Sequence, residues 1–137
     1  MSNFVYKKAK EAIFNGQINF SSNQFKLLFV KTANYTALES SHEFLSDVNS
    51  NAIVATSNAI SGVSNDLGVI DADDISINLE ANTAFEAIIL FQSTGNPATS
   101  RLLFYIDTGL DLPFGGSPIN SSVTIVWENN STKILSL

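Results

Sequence analysis

The chain of 137 residues contains no cysteine, so no disulfide can staple its fold, which fits assembly in a reducing compartment. Charge is also scarce. Asp, Glu, Lys and Arg make up 15% of the residues, against about 25% in an average soluble domain. There is a single histidine, His42, and a zinc site of several Cys or His ligands cannot be built from it. The longest strongly apolar runs are Ala87-Ile-Ile-Leu-Phe91 and Leu102-Leu-Phe-Tyr-Ile106, far short of the ~20 residues a membrane-spanning helix requires. The first residues, Met1-Ser-Asn-Phe-Val-Tyr-Lys-Lys8, lack the apolar segment of a signal peptide. A net charge of −6 is the wrong sign for displacing counterions from nucleic acid. Neither a membrane nor a nucleic acid is therefore expected as a partner.

What the chain does contain is apolar residues at 45%, an ordinary share for a globular domain, with Asn, Ser and Thr in place of surface charge. Its length suits one domain over residues 1–137, burying roughly two-thirds of the unfolded surface. The charge is unevenly placed. Lys7, Lys8 and Lys10 fall in the first ten residues, which hold no acid, while the rest carries four basic residues against 13 acidic, or −9. A basic end on an acidic body can dock against an acidic neighbour, including another copy of itself; otherwise it is a solvated helix face.

Periodicity predicts a mostly β domain, a β-sandwich or barrel-like fold with an N-terminal helix and a short helix near residues 41–48. Val5, Ala9, Ala12 and Ile13 share one face of a helix expected over residues 3–15, with Gly16 as its left-handed terminator. Residues 17–20 read as a short extended piece. Residues 24–31, apolar on both faces, read as an interior strand. Ser40-Ser-His-Glu43 has the spacing of a capping box for the short helix. Further strands are expected at 52–57, 69–70, 75–79, 85–91, 102–107, 123–127 and 133–136. Turn-rich loops are expected at 92–100 and 109–118. Many short strands separated by turns favour a sandwich or barrel.

Few residues offer chemistry. His42 has no Gly-x-Ser-x-Gly elbow or second metal-ligating histidine to work with, and reads as a first-turn residue of the short helix. Asp71, Asp73 and Asp74 are clustered oxygen ligands that can hold a structural cation or, as a carboxylate pair, serve glycoside hydrolysis. The same run reads as an acidic turn leading into the strand at Ile75. Trp127 shares a strand face with Val123 and Ile125 and belongs in the core; the other reading is a sugar-stacking platform formed by Trp127 with Tyr35 and Tyr105. Gly115-Gly116 lacks the Gly-Lys-Ser/Thr of a phosphate loop. No nucleophile, acid/base pair or cofactor motif converges, so neither an enzyme nor a cofactor is expected.

The order of segments resembles a family of small virion structural proteins of tailed bacteriophages. The stretches that carry the resemblance are Val5-Tyr-Lys-Lys-Ala-Lys-Glu-Ala12, His42-Glu-Phe-Leu-Ser-Asp-Val48, Val54-Ala-Thr-Ser57, Gly68-Val-Ile-Asp-Ala-Asp-Asp74, Ala98-Thr-Ser-Arg-Leu102, Tyr105-Ile-Asp107 and Val123-Thr-Ile-Val-Trp127. They span nearly the whole chain. The resemblance implies a decoration or cement protein that binds and stabilises the outer capsid surface. Its partners would be the major capsid protein or other virion proteins, as a homo-oligomer with a trimer among the options. Its location would be the virion, after assembly in the bacterial cytoplasm. The alternative is a tail-associated or host-surface module that recognises glycans through its loops.

Overall fold

The computed structural model describes residues 3–67, 69–78, 84–107, 122–125, 127 and 135–136. The chain is mostly β, as the periodicity predicts. In chain order the strands are β1 (Phe4–Val5), β2 (Gln24–Val30), β3 (Ile53–Thr56), β4 (Ser64–Asp66), β5 (Val69–Asp71), β6 (Ile75–Asn78), β7 (Ala87–Ser93), β8 (Leu102–Ile106), β9 (Ser122–Ile125) and β10 (Leu135–Ser136). One α-helix among the described residues, α1 (Lys7–Phe14), follows β1.

Five strands form an antiparallel sheet in the order β1-β8-β7-β2-β3. The triplet β10-β5-β4 and the pair β6-β9 form two smaller sheets. The centre of the large sheet is β7, paired with β2 without interruption from Gln24 opposite Ser93 to Val30 opposite Ala87. A continuous apolar run is what a strand buried on both faces requires. Accordingly, every residue of β7 from Ala87 to Gln92 is buried. Phe29 meets Phe85 edge-on, with ring centroids 5.0 Å apart, a favoured aromatic geometry. Ile70 of β5, Ile125 of β9 and Trp127 belong to the same buried cluster as the large sheet.

Two local expectations give way to tertiary contacts. The helix begins at Lys7 rather than residue 3, because Phe4 and Val5 are drawn into β1 opposite Tyr105 and Phe104. There Phe4 stacks on Tyr105 with centroids 5.0 Å apart. The predicted helix at 41–48 is only a 3-10 turn at Leu45–Asp47, and the Ser40–Glu43 capping box does not form. Instead the Asp47 carboxylate accepts the N–H groups of Glu43 and Phe44 at 2.8 and 3.0 Å. Glu43 is taken by Arg101, whose guanidinium donates to Glu43 Oε2 at 2.9 Å while lying 5.0 Å from the Phe44 ring centroid. Residues 17–20, expected to be extended, form no strand.

Candidate functional site

The most organised polar assembly in the described chain is a line of side chains running outward from the core. Tyr6 precedes α1 and is 0% exposed. Its hydroxyl lies 2.9 Å from that of Tyr35, which lies 2.9 Å from His42 Nδ1. The Tyr35 and His42 rings also stack, 5.3 Å between centroids. The Leu38 backbone N–H donates to the same Nδ1 at 3.3 Å.

The direction of this chain follows from its last member. A backbone N–H can only donate, so Nδ1 must be an acceptor and the neutral ring carries its proton on Nε2. The Tyr35 O–H then donates to Nδ1, and the Tyr6 O–H donates to Tyr35. Burial pushes the Tyr35 phenol up to about 12 and holds that of Tyr6 far above the ordinary tyrosine range. Both remain hydroxyls at neutral pH.

His42 lines a polar concavity of about 510 Å³ together with Asn34, Tyr35, Asp47, Asn49 and Asn51. Asn34 donates its side-chain amide to the Asn51 carbonyl at 3.3 Å, and Asn49 donates its own to the Asn34 carbonyl at 2.8 Å. These bonds tie the loop before β3 to the loop after β2. They leave the two Oδ1 atoms, the Asn51 amide and one Asp47 oxygen available. Partial burial opposes ionisation of Asp47, but the two N–H groups it accepts outweigh this and hold it below the usual carboxylate range. The concavity thus offers an imidazole N–H, a carboxylate and several amides, groups suited to a neutral, hydroxyl-rich ligand. The imidazole lone pair is not free in it, because it is already shared by Tyr35 and Leu38.

The acidic run occupies a different place. Asp71 lies in β5 opposite Ser64. Asp73 accepts from Ser61 Oγ at 3.1 Å, and its backbone N–H donates to the Ser61 carbonyl at 2.9 Å. Its own carbonyl accepts the Trp127 indole N–H at 3.2 Å. Asp74 Oδ1 accepts the Trp127 backbone N–H at 3.1 Å. Among the described residues no three carboxylate or imidazole groups come close enough together to hold a metal ion. Asp71, Asp73 and Asp74 are thus not gathered into one such group; Asp73 and Asp74 fasten Trp127 into the core, where it is buried as its strand position predicts.

Lys7, Lys8 and Lys10 all lie on α1, whose opposite face buries Ala9 and Ala12. Lys7 lies 3.9 Å from Glu39, and Lys8 lies 3.6 Å from Glu11, distances typical of loose surface pairs. Lys10 is exposed. No acid stands in the first turn of the helix.

Of the two loops considered for glycan contact, 109–118 lies outside the described residues. The other is cross-linked to itself. Thr94 Oγ1 is 2.6 Å from Thr99 Oγ1, and the Ser100 hydroxyl donates to the Asn96 carbonyl at 2.9 Å. Sequence spacing alone does not bring Tyr6, Tyr35 and His42 together, nor the asparagines beside them. The only available signal was the density of Asn at 34, 49 and 51, and that composition recurs throughout the chain. No helix among the described residues is long and apolar enough to cross a membrane. No protein-family model matches the chain, and a search of curated proteins returns no match.

Proposed function

We propose that the chain is a bacteriophage virion structural protein, a decoration or cement protein bound to the outer capsid surface. The reading starts from the whole-chain resemblance. The observation that carries it further is the placement of Lys7 and Lys8. Both stand in the first turn of α1 with no acid beside them in that turn. The helix dipole makes this the positive end, where a cation is disfavoured by about 0.3–1 kcal/mol. Two lysines at this end, each only loosely paired (with Glu39 at 3.9 Å and Glu11 at 3.6 Å), on a body whose remaining charge is −9, form a surface for an anionic neighbour. A sister subunit, with its own acidic body, is such a neighbour, and an acidic capsid surface would be another.

Reversing the charge of Lys7, Lys8 and Lys10 together is expected to weaken binding to capsids while leaving the fold intact, since all three side chains lie on the solvent side of the helix. Unchanged occupancy on purified shells would remove the reading.

One observation favours a second reading, a tail-associated or host-surface module that recognises glycans. It is the concavity at His42, Asp47 and Asn51, whose available groups match a hydroxyl-rich ligand. Copy number separates the two. Electron microscopy of intact particles should find decoration subunits in many copies over the shell, and tail modules in a few copies at one vertex.

A further inference from the structure

We infer that the concavity between β2 and β3 is a saccharide site that reads uncharged sugars by their hydroxyls and excludes acidic ones. The inference rests on the second reading above, in which the chain recognises glycans. It adds the class of glycan and the residue that selects it.

The lining comes from residues 33–51, and its groups are fixed before any ligand arrives. The Lys31 N–H donates to the Ala52 carbonyl at 2.8 Å, which closes the segment at its base. Tyr35, Val48 and Ala52 anchor it in the core. Asn34 and Asn49 tie its two ends together. The Asp47 carboxylate is set by the Glu43 and Phe44 N–H groups, both on Oδ2. The His42 ring is set by its stack on Tyr35 and by the two donors to Nδ1. Groups held in this way lose little freedom on binding.

What remains available is a mixed set. Asp47 Oδ1 and the side-chain oxygens of Asn34 and Asn49 accept, while His42 Nε2–H and the Asn51 amide donate. A hydroxyl both donates and accepts, so it meets either kind. A ligand carboxylate only accepts and would leave the acceptors unpaired.

Charge adds to this selection. Among the described residues that line the concavity, Asp47 is the one charged side chain beside a neutral His42. Its two N–H partners favour the ionised form. An acidic sugar therefore meets a like charge with no lysine or arginine in the lining to offset it. The volume, about 510 Å³, lies in the range of small-ligand sites. No aromatic face is offered for stacking, because Tyr35 is 4% exposed and its ring is taken by His42. Affinity at a single site is then millimolar, and firm attachment comes from several copies displayed together.

The test is amide NMR of the full chain at about pH 8, where imidazole is neutral. Glucose, galactose and mannose are each titrated to about 100 mM against the matching uronate. The neutral sugars should move resonances within residues 33–51. The uronates should bind about tenfold more weakly or worse, the scale of a unit-charge repulsion near a protein surface. Asp47→Asn keeps an oxygen for the Glu43 and Phe44 N–H groups, removes the charge and should bring the uronates level. Asn51→Lys supplies a cation and should favour the uronates; it serves if the first variant does not fold. Uronates that bind residues 33–51 as well as neutral sugars do would overturn the selection and leave the glycan reading standing. So would folded variants that still discriminate like the parent. Sugar shifts confined to another surface would overturn the site alone. No shift anywhere with any sugar would remove the glycan reading and this inference with it.

Discussion

The hydroxyls of Tyr6 and Tyr35 lie 2.9 Å apart, and the bond between them has a direction set by a third residue, because Leu38 and Tyr35 both donate to His42 Nδ1. Tyr6 is the donor at the buried end. Its O–H has Tyr35 as its acceptor, and it has no route to solvent.

That direction makes the two tyrosines unequal. Tyr35→Phe leaves the buried Tyr6 O–H without an acceptor and should destabilise the fold by about 1–3 kcal/mol, the penalty of an unsatisfied buried donor. Tyr6→Phe removes only a donor, and Tyr35 keeps its bond to His42, so a loss of about 1 kcal/mol or less is expected. The double replacement should fall short of the sum, because residues within one network couple. Denaturant unfolding of the three variants checks this. Equal losses for the two single variants would refute the assigned direction.

Much of this architecture is legible in the sequence, and the failures share one cause. The run 85–91 reads as a strand buried on both faces, and β7 is one. The start of the helix expected over 3–15 and the capping box at Ser40 fail because local spacing cannot register distant partners. Phe4 finds Tyr105 across the sheet, and Glu43 finds Arg101, 58 positions away. The Tyr6–Tyr35–His42 line is hidden for the same reason, being assembled from the junction of β1 with α1 and from the connection between β2 and β3. Only the individual residue types were visible beforehand.

The three tyrosines of the chain, Tyr6, Tyr35 and Tyr105, are all buried, which predicts an alkaline limit to stability. Burial pushes Tyr105 up to about 12, aided by the nearby Asp107, and Tyr35 likewise up to about 12, from an ordinary value of 10.0. The folded state therefore keeps protons that the unfolded state loses. Stability is fully present below pH 10 and falls as pH rises from there toward 12. At about pH 11 the loss should be about 1.4 kcal/mol for each such tyrosine. Phenolate absorbance should stay low in the native protein well beyond the unfolded titration, then appear together with loss of the β circular-dichroism signal. Ordinary titration of all three in the folded protein would contradict this.

Gly62 and Asp73 form a second coupled pair. Gly62 has φ +66°, and a Cβ placed on it would stand 2.5–2.7 Å from the Asp73 carboxylate. Gly16 has φ +74° with nothing within 4 Å of such a Cβ. Gly16→Ala thus isolates the backbone strain, about 1–2 kcal/mol. Gly62→Ala adds a steric conflict with a carboxylate that Ser61 holds in place, and should lower the melting temperature further. Combining it with Asp73→Ala should recover part of the loss. A Gly62→Ala effect no larger than that of Gly16→Ala would show that the carboxylate yields freely.

Leu67 predicts a gain. Asp66 pairs with Val69, and Leu67 stands in the turn that follows β4. Leu67 has φ +52° and is 97% exposed. A branched apolar side chain thus sits in the left-handed region with no packing to compensate, a strain of about 1 kcal/mol. Two-residue hairpins that need positive φ at this position favour Asn-Gly, and Leu67→Asn creates that dipeptide. The variant should be more stable by about 0.5–1 kcal/mol, read as a higher denaturant midpoint at unchanged slope. A strained, water-facing leucine that the free chain would be more stable without is also a place to look for a contact with a partner. The same variant should therefore be carried into capsid binding. Loss of binding together with a gain in stability would place Leu67 in that contact, and a drop in stability would show that the turn does not strain it.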